Sequence, residues 1–190
     1  MRRVVKALAI VAVVGLISAP TAARAEGFVN PWAGVVFDNS QGDEGNWGFG
    51  VNAGAMGAGI IGGEIDFGYL PNFYGDVVDN HVLNLMGNLI VGIPVGGTRG
   101  AGFRPYVTGG LGLIRSSIDT AVVTDTAAVT NDFGYNLGFG AMGYFSDHFG
   151  VRADVKYFRE LNDDTDDDDL LDLDLGSLKF WRAAFGIVIR

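Results

Sequence analysis

Charged side chains occur at every second position in two segments of this 190-residue sequence, and their spacing could serve chemistry. Glu64 and Asp66 alternate with apolar residues in EIDF, and Arg152, Asp154 and Lys156 do so in VRADVKYF. Residues two apart on a β-strand point to the same face, so each segment would collect its charges on one side of a sheet. Such faces could close an enclosed space by ion pairing, or could gate a pore by exchanging partners.

The full candidate set contains three acids and four bases that share this parity in predicted strands. Its members are Glu64, Asp66, Arg104, Arg152, Asp154, Lys156 and Arg182. A buried charge without a partner is costly, so we expect these side chains to pair with one another in a lumenal polar network. We expect the network to plug the space that it lines, and a selective pore is the alternative reading of the same residues.

The two histidines give little support to an enzyme. His148 falls in a short predicted link between strands, and His81 has no serine two residues away on the same strand face to act as a nucleophile. We therefore predict no catalytic residues and expect both histidines to be solvated, in a turn or at a rim.

An acidic run from Asn162 to Asp174 is the other candidate for chemistry, because carboxylate oxygens bind Ca²⁺ and Mg²⁺. The run lacks the ordered glycine turn and the terminal glutamate of an EF-hand loop, and a run of like charges is usually a solvated segment. The sequence has no cysteine, which excludes thiol chemistry and cysteine-ligated metals. We predict no metal site and no cofactor.

The first residues indicate export. Three basic residues among the first six precede an apolar stretch from Ala7 to Ala19, and Ala23-Arg24-Ala25 has the small-x-small pattern that signal peptidase recognises. The apolar stretch is too short for a membrane helix. We predict a cleaved signal peptide at residues 1–25.

Residues 26–190 are predicted to form one domain. This part carries nine Lys and Arg against 22 Asp and Glu, a net charge of −13, which disfavours a nucleic-acid partner. It contains no second apolar run long enough for a membrane helix, so a chain that spans a bilayer would do so with strands.

Period-two alternation predicts eight strands, and the high glycine and phenylalanine content favours strands over helices. The predicted strands are Gly27–Phe37, Trp47–Ala55, Ile61–Tyr69, His81–Ile93, Phe103–Leu113, Phe133–Phe145, Val151–Tyr157 and Lys179–Arg190. The links between them are predicted to alternate in length, with long ones at Asp38–Asn46, Leu70–Asn80, Arg115–Asp132 and Phe158–Leu178. This asymmetry is typical of a transmembrane barrel with short periplasmic turns, long outer loops and both termini in the periplasm.

The polarity of the two strand faces distinguishes a membrane barrel from a soluble one. The face opposite the apolar residues is mostly glycine and asparagine, too small and too sparsely polar to be a water-facing skin. Aromatic residues near strand ends match interfacial girdles, namely Trp47, Tyr69, Phe103, Phe145, Tyr157 and Trp181. The predicted fold class is therefore all-β, an eight-stranded antiparallel up-and-down transmembrane β-barrel.

Two segments carry a family resemblance. Residues 133–158, FGYNLGFGAMGYFSDHFGVRADVKYF, and the final FWRAAFGIVIR resemble the sixth, seventh and closing strands of the outer-membrane protein β-barrel domain family, small barrels similar to OmpA. The resemblance implies an outer-membrane location in a Gram-negative bacterium. Such barrels usually end in an aromatic residue that the assembly machinery recognises, whereas this sequence ends at Arg190, and we expect the outward Ile189 to substitute.

The function expected from these observations is a structural or surface-interaction role in the outer membrane, without enzymatic activity. A narrow channel for small solutes is the alternative, and a lipid A-modifying enzyme is a more distant one. The expected partners are outer-membrane lipid and lipopolysaccharide, periplasmic chaperones and the barrel-assembly machinery. We expect a monomer.

Overall fold

The computed structural model describes residues 25–38, 45–74, 80–97, 99–118, 128–161 and 178–190. Within these ranges the chain forms a closed barrel in which each strand pairs antiparallel with its neighbours in sequence and β8 pairs with β1. The strands are β1 (Ala25–Phe37), β2 (Trp47–Gly57), β3 (Ile61–Pro71), β4 (Asn80–Gly92), β5 (Gly102–Ile118), β6 (Ala128–Tyr144), β7 (Phe149–Glu160) and β8 (Lys179–Ile189). The predicted fold class is confirmed.

The strands lean strongly against the barrel axis. Following register partners from Glu26 on β1 through the seven other strands leads back to β1 at Val36, ten residues farther along. With a rise of about 3.3 Å per residue and about 4.8 Å between strands, this offset corresponds to a tilt of about 40°. Register partners therefore do not lie at the same level along the barrel axis. With each step from β1 towards β8, the register partner lies slightly farther towards the end of the barrel at which β1 ends.

The two ends of the barrel differ in their links. Links 38–46, 72–79, 119–127 and 161–178 lie at one end, here called the long-loop end, and links 58–60, 93–101 and 145–148 lie at the other, the short-turn end. The prediction of a long link at Arg115–Asp132 is wrong, because β5 and β6 continue to 118 and from 128. These extensions contain polar residues on both faces, so alternation of apolar residues could not show them. Link 93–101 is as long as links 38–46 and 119–127 and longer than link 72–79, so the predicted strict alternation of long and short links is also wrong.

Burial follows the predicted faces. Outward residues such as Val107, Leu137 and Phe139 are 58 to 59% exposed, whereas the inward residues Tyr106, Thr108 and Asn136 beside them are buried. Within the described ranges, no helix has the length and apolar character needed to cross a membrane.

Two apolar clusters fill the inside of the barrel near its ends. The long-loop layer contains Val36, Leu70, Phe73, Val82, Met86, Ile114, Phe158, Leu178 and Phe180. The short-turn layer contains Phe28, Met56, Ile90, Tyr106, Met142, Tyr144 and Val188. The charged residues singled out above lie between or beside these layers.

Candidate functional site

A lysine joins two carboxylates at the centre of the lumen. The Nζ atom of Lys156 on β7 lies 2.8 Å from Oε1 of Glu64 and 2.7 Å from Oδ2 of Asp66, both on β3. In a ring of eight strands, β3 and β7 face each other across the barrel. The ion pairs therefore connect opposite walls, which is possible only in a narrow lumen.

Two arginines complete the charge balance. Arg152 binds Oε2 of Glu64 and places its Nε 2.9 Å from Oδ2 of Asp154, while Arg182 places Nη2 2.6 Å from Oδ2 of Asp66. Three acids thus meet three bases, and all six side chains are buried. The structure brings together six of the seven residues that the sequence indicated, and we call these six the lumenal network.

Glycines on β6 give these long side chains room. A Cβ atom at Gly138 would lie 2.6 Å from Cγ of Lys156, and one at Gly140 would lie 2.6 Å from the Tyr106 hydroxyl and from Cβ of Asp154. Both glycines point inward, where only hydrogen fits. The glycine-rich face of FGYNLGFGA therefore complements the charged face of VRADVKY on the neighbouring strand.

Arg104 lies apart from the lumenal network. Its Nη2 is 2.9 Å from Oε2 of Glu26, which also lies 3.6 Å from Nη1 of Arg190. The guanidinium groups of Arg104 and Arg190 lie over the ring of Tyr144, at 5.4 and 4.0 Å from its centroid. The period-two pattern correctly predicted that Arg104 faces inward, but it does not give the position of a residue along the barrel axis. Arg104 lies close to the short-turn end of β5.

Neutral side chains extend the network, and the sequence prediction did not include them. The Tyr106 hydroxyl donates to Asp154 at 2.8 Å, and the Asn88 amide donates to Glu64 at 3.1 Å. Asn136 donates in turn to Asn88 at 2.7 Å. Their inward parity was visible in the sequence, but a neutral side chain has no charge to suggest that it belongs to an ionic cluster.

Phe73 enters the long-loop layer from outside the strands. It belongs to the turn at 72–74, and its ring packs edge-on against Phe180 with centroids 5.2 Å apart. Phe158 and Phe180 stack at 4.9 Å. Next to Phe73, the hydroxyls of Tyr74 and Ser116 lie 3.1 Å apart, and burial raises the pKa of Tyr74, so the phenol keeps its proton. The sequence placed Phe73 in a link, so its inward insertion was missed.

Other candidate residues show no catalytic arrangement. His81 packs its ring 5.5 Å from Tyr69 on the barrel wall, and His148 is exposed in the turn after β6. In the part of the chain that the structure describes, no three His, Cys, Asp or Glu residues form a group able to hold a metal. The acidic run of residues 162–174 lies outside the described residues, so the expectation that it holds no metal site stays a prediction.

Comparison with known proteins agrees with this architecture. The profile of the outer membrane protein beta-barrel domain family matches residues 9–177. The chain belongs to this family. The resemblance seen in the sequence is confirmed, and the protein is an integral outer-membrane barrel.

Three solved structures of similar build are outer-membrane barrels. Neisserial surface protein A shares 14% identity over 87% of this chain and 97% of its own, with a TM-score of 0.65. The outer membrane protein OprG of Pseudomonas aeruginosa shares 15% over 88% and 96%, with a TM-score of 0.54. The N-terminal barrel of OprF from the same organism shares 18% over 87% and 98%, with a TM-score of 0.53. Curated protein sequences give no match. At these identities the likeness shows the fold alone.

Proposed function

We propose that this protein is a non-enzymatic, monomeric outer-membrane barrel with a sealed lumen, and that it acts as a structural or surface-interaction protein. The observation that carries the proposal is that buried side chains lie inside the barrel at three successive levels. The long-loop layer, the lumenal network and the short-turn layer follow one another along the barrel axis.

The apolar layers carry more of this argument than the charges do. Ions need water or polar ligands along their whole path, and an apolar constriction excludes both. Phe158 and Phe180 are fully buried in the long-loop layer, and Met56 and Ile90 are fully buried in the short-turn layer. A path between the two ends would have to open both layers, even if every ion pair between them were broken.

The proposal includes an orientation. We place the long-loop end outside the cell and both termini in the periplasm, after cleavage of residues 1–25. The 18-residue link 161–178 at the long-loop end supports this, because long loops of such barrels face outward. The carboxylate of Glu26 binds Arg104 at the short-turn end and would hold the start of the mature chain at that end. Residues 1–24 lie outside the described residues, so cleavage stays a prediction.

Conductance in planar bilayers tests the sealed lumen. We compare the wild type with the Lys156→Met/Glu64→Gln variant, which removes one charge of each sign from the network, and with Lys179→Met, which removes an exposed charge. None of the three should carry a steady current. Steady steps in the wild type would favour the narrow channel. Steps only in the double variant would show that the charges, not the apolar layers, close the lumen.

The enzymatic alternative is tested on the same preparation. Incubation with lipid A should leave its acyl chains in place, because no nucleophile, base and acid are assembled among the described residues. Release of fatty acid by the wild type, and not by heat-unfolded protein, would overturn the non-enzymatic proposal.

A further inference from the structure

Three basic residues lie on the outer wall at the long-loop end, where they face the surroundings of the barrel. Arg115 is on β5, Arg159 on β7 and Lys179 on β8, and all three are exposed. Arg159 and Lys179 are register partners on adjacent strands. No described residue forms an ion pair with either. Like charges directly opposite each other destabilise a sheet, and a bound anion would relieve the repulsion between these two side chains.

An aromatic shelf lies immediately beneath the pair. Tyr157 and Trp181 lie two residues closer to the short-turn end than Arg159 and Lys179, and their ring centroids are 5.1 Å apart. The ring of Tyr135 extends the row, with its centroid 6.4 Å from that of Tyr157. Such rings mark the boundary between hydrocarbon and headgroups. Arg159 and Lys179 therefore stand at the level of lipid headgroups, where phosphates are found.

An apolar groove of about 360 Å³ lies on the same outer wall, deeper in the membrane. It is lined by Leu89, Val91, Val107, Thr108, Gly109, Leu137 and Gly138. Gly109 stands between Leu89 and Leu137 in the register, so the missing side chain leaves a hollow between two large ones.

The tilt of the strands places this groove below the cation pair. Because the strands lean, moving along any strand towards the short-turn end also moves around the barrel in the direction from β1 to β8. The wall directly beneath Arg159 on β7 is therefore formed by the preceding strands, first β6 and then β5. Tyr135 is the β6 partner of Arg159, Leu137 lies two residues deeper, and Gly109 is the partner of Leu137. From the strand rise, spacing and tilt, the groove spans roughly 10 to 20 Å below the pair. That is the depth of acyl chains in one leaflet of a hydrocarbon core about 30 Å thick.

We propose that Arg159 and Lys179 bind a phosphate of lipid A in the outer leaflet, and that an acyl chain of the same lipid lies in the groove around Gly109. Charge supports this choice, since the predicted mature chain has a net charge of −13 and yet keeps two adjacent exposed cations at this level. The site does not depend on whether the lumen conducts. It rests on the proposed orientation only for the leaflet that supplies the lipid.

Binding of defined lipids to the purified full-length barrel in detergent micelles tests the site without reference to orientation. The probe is bisphosphorylated lipid A, and the measurement is its dissociation constant by native mass spectrometry. Arg159→Gln/Lys179→Gln should weaken binding about 30-fold, as expected for two cations near a lipid surface. Arg115→Gln is the matched control. It removes a cation at a similar height but roughly 18 Å around the wall, and it should change affinity less than threefold.

Groove variants test the acyl-chain part. Gly109→Leu would fill the hollow and should weaken lipid A binding, whereas Gly87→Leu on the same outer wall, outside the groove lining, should not. Fully dephosphorylated lipid A should bind the wild type and the double glutamine variant equally weakly.

Three results would overturn the proposal. The double glutamine variant could bind lipid A as the wild type does, which would leave the acidic run after β7 as the anion that neutralises the pair. Phosphatidylglycerol could bind as tightly as lipid A, or millimolar inorganic phosphate could displace lipid A. Either would show a generic phosphate site instead of a lipid A site.

Discussion

Replacing Lys156 by methionine removes one charge from the centre of the lumenal network and keeps most of the side-chain volume. The ammonium is fully buried, 2.8 Å from Glu64 and 2.7 Å from Asp66. Without it, the six-residue network changes from neutral to a net charge of −1. The two carboxylates, which share one face of β3 two residues apart, lose the cation between them.

The magnitude follows from these two contacts. At an effective dielectric constant of about 20, unit charges 2.8 Å apart attract by about 6 kcal/mol, so the two contacts supply about 12 kcal/mol before desolvation is subtracted. Desolvation of the three ions offsets several kcal/mol for each, and in the variant Glu64 and Asp66 still have ion pairs with Arg152 and Arg182. Breaking a buried pair typically costs about 3 to 5 kcal/mol, and we expect the free energy of unfolding to fall by this amount.

Urea titration of the protein refolded in lipid vesicles measures this loss, with the folded fraction read from the mobility of unheated samples on a gel. Arg115→Met is the control, because Arg115 is exposed and its loss should change stability by less than about 0.5 kcal/mol. Adding Glu64→Gln to Lys156→Met restores neutrality, so the double variant should be no less stable than Lys156→Met alone. Two results would refute the network. One is a Lys156→Met variant as stable as the control variant, and the other is a Lys156→Met/Glu64→Gln variant whose loss of stability equals the sum of the losses in the two single variants.

Three further predictions concern the wall, the space inside and the orientation. Val107→Arg should cost about 2 to 4 kcal/mol near the bilayer midplane, and a cost near zero in the same urea titration would mean that this face does not meet lipid. Gly140→Ala should cost about 1 to 3 kcal/mol, since the new Cβ would lie 2.6 Å from a phenol oxygen, whereas Gly87→Ala meets nothing closer than 3.8 Å and should be tolerated. Because the chain has no cysteine, single replacements can report orientation. A membrane-impermeant maleimide should label Asp38→Cys and not His148→Cys in intact cells, and the reverse pattern would invert the proposed topology.

The sequence predicted the strands and their faces because a barrel wall separates lipid from lumen at every position. Any residue that faces lipid is apolar, so period two is imposed along each strand wherever it crosses the hydrocarbon. Outside the hydrocarbon this constraint ends. The extensions of β5 and β6 past Leu113 and before Phe133 have polar side chains on both faces, and alternation could not reveal them.

The sequence did not give the position of each residue along the barrel axis. The period-two pattern placed Arg104 and Asp66 on the same inner face, but only the register of the strands shows that they lie at different levels along the axis. The long-loop layer was hidden for a related reason. The outward neighbours of Phe158 and Phe180 include the aromatic residues Tyr157 and Trp181, so the two inward rings added no contrast to the pattern. Phe73 reaches the lumen from a turn.

The charged network and the apolar layers have different consequences for folding. Where a strand is apolar on both faces, as β1 is at Val35, Val36 and Phe37, little distinguishes the two faces, and a one-residue slip in register would exchange them. The same slip in β3, β7 or β8 would take Glu64, Lys156 or Arg182 out of its ion pairs and into hydrocarbon, where a charge is strongly disfavoured. The lumenal network therefore favours the observed inward face of the strands that carry it, while in the sealed lumen that we propose the apolar layers on either side exclude ions. Charge in this lumen contributes to the uniqueness of the fold, and closure as we propose it does not depend on that charge.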